Sequence, residues 1–174
     1  MAVNLGINNF IQKFDGGSKP TLYQVIVTGL GNYNDLQFFC KATSLPASTI
    51  GEIPVPYLGR VIKVPGDRTF DDWSVTVLNT ENMTLRRTFE DWNNALNERE
   101  GNIATVAGGS VFAAIRQYEA TVNQLDRKGN VVRSYRLFNM FPKEVSNVEL
   151  GYDQVDVVSE FTVTFAYSHF TTTP

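Results

Sequence analysis

Histidine and cysteine are almost missing from this chain, which has one of each, His169 and Cys40, in 174 residues. A single thiol cannot close an intramolecular disulfide. One Cys and one His cannot furnish a Cys/His zinc site. A Ser-His-Asp or Cys-His catalytic arrangement would have to be built on His169, which lies between Ser168 and Phe170 at the end of a strand-like run. The excess of one charge sign is small too: 15 Lys and Arg against 18 Asp and Glu give a formal net charge of −3, with no basic footprint for gripping a nucleic-acid backbone. No run approaches the ~18 apolar residues of a bilayer-spanning helix, so no membrane anchor is expected. Met1 to Gly6 lacks the basic and apolar regions of a secretory signal, and the expectation is folding in a cytoplasm.

Other chemistry is missing as well. Gly29-Leu30-Gly31 has neither the third glycine nor the following helix of a dinucleotide loop. Asn82-Met83-Thr84 is a glycosylation sequon without a secretion route. Asp71 and Asp72 are neighbours on a strand pattern and point to opposite faces, so they make no acid/base pair by themselves. Glu90 and Asp91 read as solvated helix residues, and Cys40 as a small core hydrophobe. A carbohydrate-binding platform would fall to Tyr118, Tyr135, Tyr152 and Tyr167, whose positions read as core or interface. No catalytic, cofactor-binding or metal-binding residues are expected, and the chain reads as a non-enzyme.

What is present is the material of one folded domain: 43% hydrophobic and 19% charged residues. Residues 1–20 are Asn- and Gly-rich and read as an N-terminal arm with a short helix around Phe10 and Phe14. From residue 21 to 170 the pattern is that of a β domain. Tyr23, Val25 and Val27 alternate, Gly29 to Asn34 reads as a turn, and Leu36, Phe38, Cys40 and Ala42 alternate as a strand with one buried face. Residues 44–68 combine Pro46, Pro54, Pro56 and Pro65 with nine large apolar residues, which predicts a long Pro-rich loop with a hairpin at 60–64. Trp73, Val75 and Val77 return to period two. Leu85, Phe89, Trp92 and Leu96 then form one stripe of an amphipathic helix over about 82–98, capped by Thr80 or Asn82. Residues 101–114 read as a loop. Strands follow at about 115–125, 131–138 and 157–168, with a turn at 126–130, a short strand near 145–150 and a C-terminal tail at 171–174. The expected fold is mainly β: an antiparallel β-sandwich or barrel, with the helix covering one face or one open edge.

One run is specific. Val64-Pro65-Gly66-Asp67-Arg68-Thr69-Phe70-Asp71-Asp72-Trp73-Ser74-Val75-Thr76-Val77 resembles the segment entering the third main strand of tail tube proteins from contractile-tailed bacteriophages. Phe39 to Pro46, Ile53-Pro54-Val55, Tyr57-Leu58-Gly59-Arg60 and the helix with Phe89-Glu90-Asp91-Trp92 follow the same family's spacing. The likeness is sharp over about 36–92 and softer over 112–168. Taken alone, Gly66-Asp67-Arg68 reads as a turn in which Asp67 caps and Arg68 pairs with a carboxylate.

The resemblance implies a structural virion protein forming stacked hexameric rings of a tail tube, the conduit for DNA ejection. The implied partners are further copies of the chain, the tail sheath protein, a baseplate or tube initiator and a tail terminator. DNA would pass down the lumen without specific binding, and the tube would be assembled in the host cytoplasm. The alternative is the inner tube of a phage-derived contractile injection or secretion system. Leu45, Ile53, Val55, Tyr57 and Leu58 are expected at inter-ring contacts, and Arg86, Arg87, Glu90 and Asp91 on the sheath-facing surface. Gly66, Asp67, Arg68 and Trp73 form the family motif, with Trp73 in the core. The small polar residues Ser74, Thr76, Thr121, Asn123, Thr162 and Thr164 would suit a wet lumen.

Overall fold

The computed structural model describes residues 7–14, 17–29, 36–106 and 110–174, with Phe112 described by its backbone alone. Most of the expected turn at Gly29 to Asn34 lies outside the described residues. Two four-stranded antiparallel sheets face each other. One has the order β1 (Tyr23–Thr28), β6 (Glu119–Leu125), β7 (Val131–Phe138), β10 (His169–Thr173). The other has the order β2 (Cys40–Thr43), β5 (Trp73–Leu78), β9 (Glu160–Ala166), β8 (Phe141–Val145). A third sheet is only the pair β3 (Ser48–Tyr57) and β4 (Arg60–Phe70).

Period-two patterning decides the sandwich. Val25, Val27, Ala120, Val122 and Leu137 point inward from the first sheet; Trp73, Val75, Val77, Phe161, Val163 and Phe165 point inward from the second. Helix α3 (Thr84–Leu96) inserts Leu85, Phe89 and Trp92 into the same cluster. Its aromatics pack directly on core rings: Phe89 lies 5.8 Å from Phe165 and 6.2 Å from Phe161, both edge-on, and Trp92 lies 4.0 Å from Tyr118.

Several expectations need correction. Residues 36–39 form a helical turn, α2 (Leu36–Phe39), so Leu36 is buried in the core and Phe39 packs against it while Phe38 is 74% exposed. A four-residue apolar run carries too little periodicity to separate the two states. The helix α3 has no Thr80 or Asn82 cap; Met83 precedes it in the left-handed region without a side-chain cap bond. Residues 111–115 form a short helix, α4 (Val111–Ile115), inside the expected 101–114 loop and the start of the expected strand. The strand expected near 145–150 comes earlier, as β8, and residues 146–159 connect to β9. The expected C-terminal tail is the strand β10, paired along its length with β7.

The largest difference is at 44–68. The segment does not run as a loop but pairs with itself from Ser48↔Phe70 to Tyr57↔Arg60. Proline is excluded from central strands because it cannot donate to a ladder. A two-stranded ribbon has no central strand, so Pro54, Pro56 and Pro65 sit in it without leaving a donor missing. The ribbon turns at Leu58-Gly59, with φ of 45° and 76°, the mirror-image turn that matches hairpin twist. Helix α1 (Ile7–Lys13) is the short helix expected in the arm, and none of its residues is buried.

Candidate assembly surfaces

The ribbon is two-faced. Directly opposite residues of an antiparallel pair share a face. The pairs Ile53↔Val64, Val55↔Ile62 and Tyr57↔Arg60 therefore place five large apolar side chains together. All five are 42–65% exposed. The other face carries an exposed Glu52–Lys63 ion pair at 2.7 Å. Leu58 stands at the tip, 86% exposed. Leu45 precedes the ribbon and is also exposed, so the five predicted inter-ring residues divide into a base position, a face and a tip.

The base of the ribbon is held firmly. Trp73, 1% exposed, donates from Nε1 to the Ser44 carbonyl at 2.8 Å. Tyr167 donates to the Ala47 carbonyl at 3.3 Å, and Phe70 packs on Tyr167 and Phe170 at 6.0 and 5.7 Å. Trp73 is thus both core and clamp. Gly66-Asp67-Arg68 is not a turn: it lies within β4, opposite a register shift between Ile50 and Glu52. A Cβ on Gly66 would come within 3.2 Å of the Gly51 carbonyl oxygen, a tight approach that glycine avoids at this bulge. Arg68 donates to the Ser48 hydroxyl at 3.2 Å rather than to a carboxylate.

On α3, Arg87 and Asp91 are the outermost charges, 83% and 75% exposed and 3.8 Å apart. Arg86 and Glu90 lie lower. Arg86 bonds Glu90 at 2.8 Å, donates to the Ser146 carbonyl at 3.1 Å and stacks over Phe161 at 5.5 Å. The four predicted sheath-facing residues therefore form an exposed pair and a pair leaning on the sheet.

The small polar residues read as one surface occupy two. Thr121 and Asn123 are on the outer face of the first sheet with Gln24, Ser134, Thr171 and Thr173. Ser74, Thr76, Thr162 and Thr164 are on the outer face of the second. The first face is a hydrogen-bonded lattice: Ser134 donates to Asn123 at 2.7 Å, Asn123 to Gln24 at 3.3 Å, and the ion pair Arg136–Glu119 leaves it uncharged overall.

The edges of the two sheets differ. In the second sheet, the Tyr23 hydroxyl sits on the Cys40 and Lys41 carbonyls at 3.1 and 2.7 Å, beside β2. At the other edge Asn93 donates to the Pro142 carbonyl at 3.0 Å, and Arg86 seals the end of β8. In the first sheet, no side chain seals β10 in this way among the described residues. Burial pushes the Cys40 thiol up to about 11, so it stays protonated and unreactive, in keeping with a packing role. Three of the four tyrosines considered as a platform pack against the core. Tyr152 does not: it stands fully exposed in the connection 146–159, with Leu150, Val155, Val157 and Val158. Sequence reasoning missed this connection because its apolar residues follow neither period.

A sequence profile described as phage tail tube protein matches residues 3–173. The tail tube protein gp19 of Enterobacteria phage T4 is 34% identical over 167 residues, covering 94% of this chain and 98% of that protein. Among solved structures, the sheath/tube terminator of an extracellular contractile injection system (PVC) superposes with a TM-score of 0.66 at 13% identity, covering 91% of this chain and 97% of that one. The sheath–tube complex of the same kind of system gives 0.59 at 14%, over 91% and 93%. The injection-system likenesses carry the fold; the family profile and the phage T4 relative carry the rest. The chain belongs to the phage tail tube protein family and is a structural component of the virion tail, not an enzyme.

Proposed function

We propose that this chain forms hexameric rings that stack into the inner tube of a contractile tail and that DNA leaves the virion through its lumen. The observation that carries the reading is the ribbon: a firmly rooted projection whose apolar face its own subunit leaves uncovered. Exposed apolar surface of this kind marks a contact. Leu45, Ile53, Val55, Tyr57 and Leu58 would meet the adjacent ring.

Within a ring, the open β10 edge favours the first sheet as the shared wall. An open edge is a liability unless another strand covers it. The four strands of that sheet alternate in direction, so a copy related by rotation about the tube axis presents its β1 antiparallel to β10. Helix α2 lies beside β1, with Gln24 bonded to Gln37 at 2.9 Å, and would have to yield to the incoming strand. The lumen would then be lined by Gln24, Thr121, Asn123, Ser134, Thr171 and Thr173, a hydrated face without excess cations that would not hold DNA.

The sheath protein would dock on α3 through Arg86, Arg87, Glu90 and Asp91. An initiator on the baseplate and a terminator would cap the tube, with assembly in the host cytoplasm. The 34% identity to a phage protein favours a phage tail over an injection system.

Negative-stain microscopy of the purified protein, concentrated alone or with its initiator, should show rings and tubes; monomers under every condition would sink the reading. Thr171→Pro and Thr172→Pro separate the wall from the fold. Neighbouring strand residues direct their N–H groups to opposite sides, so one substitution should cut the β7 ladder and lower Tm. The other should keep Tm and abolish rings. If both assemble normally, β10 is not the joining edge. Reversing Arg87 and Asp91 together should leave tubes intact and weaken sheath co-assembly about tenfold or more, an effect that rests on many repeated weak contacts; unchanged sheath decoration would refute the α3 assignment.

A further inference from the structure

We propose that the connection 146–159 of one subunit is the seat for the ribbon tip of a subunit in the next ring, so that rings stack head to tail through this pair. The proposal rests on the tube reading and adds the receiving surface to it.

Position makes the contact intermolecular. The ribbon is rooted where β5 begins, at Phe70 and Trp73. The connection ends where β5 finishes: Leu78 pairs with Glu160, and Asn79 donates to the Ser159 carbonyl at 2.9 Å. Six strand residues separate these ends, about 20 Å at ~3.3 Å per residue. A ribbon rooted at one end of the subunit and a seat at the other make a heterologous contact, which repeats without closing and yields a filament.

The two surfaces also match in chemistry. The connection exposes Leu150 by 89% and Tyr152 completely, around a cleft of about 460 Å³ lined by Glu149, Leu150, Tyr152 and Val157 among others. Between residues 146 and 159 it carries Glu149, Asp153 and Asp156 and no Lys or Arg. Near the ribbon tip the charge is positive: Arg60 flanks the turn, while Lys63 lower down is paired with Glu52. Opposite charge around apolar anchors fixes register and disfavours wrong partners. The tip is also built at a cost: Leu58, a bulky residue, is held at positive φ and points its side chain into solvent. Strain of that kind is tolerated where the surroundings or a partner use it.

Cross-linking tests the pair. Tubes of the Leu58→Cys/Tyr152→Cys variant, mildly oxidised, should give a ladder of disulfide-linked chains that neither single variant gives. Cys40, half-buried and protonated, stays silent. Independently, Arg60→Glu should raise the protein concentration needed for tubes about tenfold, since a weak pair is lost at every copy around a ring. Adding Asp153→Arg should restore assembly. Normal tubes without a ladder, unaffected by Arg60→Glu, would overturn the seat while leaving the tube reading intact. A ladder from Phe10→Cys/Tyr152→Cys in place of the first would overturn it too, by placing α1 in the cleft. Failure of the unmodified protein to form any tube would remove the reading itself and this proposal with it.

Discussion

Replacing Ile53, Val55 and Tyr57 together by aspartate should give a subunit that folds normally and builds no tubes. The folding half follows from exposure. These side chains are 52%, 43% and 65% exposed, and Phe70, Trp73 and Tyr167 hold the ribbon's base without them. Substitutions at such positions change subunit stability by about 0.5 kcal/mol or less each. The assembly half follows from burial in the contact. A large apolar side chain removed from water contributes about 1.5–3 kcal/mol, and a carboxylate buried without a partner costs several kcal/mol more. Three such changes, repeated at every subunit around a ring, exceed what a stacking contact can tolerate. Thermal melting should shift by no more than about 6 °C, on the scale of ~2–4 °C per kcal/mol for a chain of this size. Sedimentation should show no filaments. Tubes of normal length would refute the role of this face.

How far the sequence reached can be followed along particular residues. Strands β1, β5 and β9 were legible because each buries one face. Val25 and Val27, then Trp73, Val75 and Val77, then Phe161, Val163 and Phe165 impose period two on the letters. Helix α3 was legible for the same reason at period 3.6: Leu85, Phe89 and Trp92 are its buried residues. The ribbon was not, because nothing buries either of its faces within the subunit. Its large apolar residues stay exposed in the subunit, and its prolines occupy free strand edges. Strand β10 was missed because Thr171, Thr172 and Thr173 have no apolar alternation; its ladder with β7 holds it, and backbone hydrogen bonds leave little trace in side-chain pattern. The surfaces divide likewise. The residue types at the ribbon tip and on α3 were readable, but the inward lean of Arg86 depends on the Ser146 carbonyl, 60 residues away in sequence.

Phe89→Ala should be among the most damaging single changes to the subunit itself. Phe89 is fully buried where α3 packs into the core, with Trp92 at 6.4 Å, Phe161 at 6.2 Å and Phe165 at 5.8 Å. Truncating a buried phenylalanine costs about 3–5 kcal/mol, partly as lost transfer energy and partly as the cavity left behind. Against a total of about 5–15 kcal/mol, that is a large share. The expected fall in Tm is about 6–20 °C at ~2–4 °C per kcal/mol. The effect should depend on assembly. Anything that binds only the folded state stabilises it, so tubes of the variant should melt closer to tubes of the unmodified protein than the free subunits do. Arg87 and Asp91 ride on the same helix, so a loosened α3 should also weaken sheath binding before tube formation suffers. Calorimetry of dissociated subunits reads the first effect, and a fall of less than about 2 °C would show that α3 is an appendage and not part of the core, given the scale above. In that case the rigid presentation of its charged pair, on which the sheath assignment rests, would lose its structural basis.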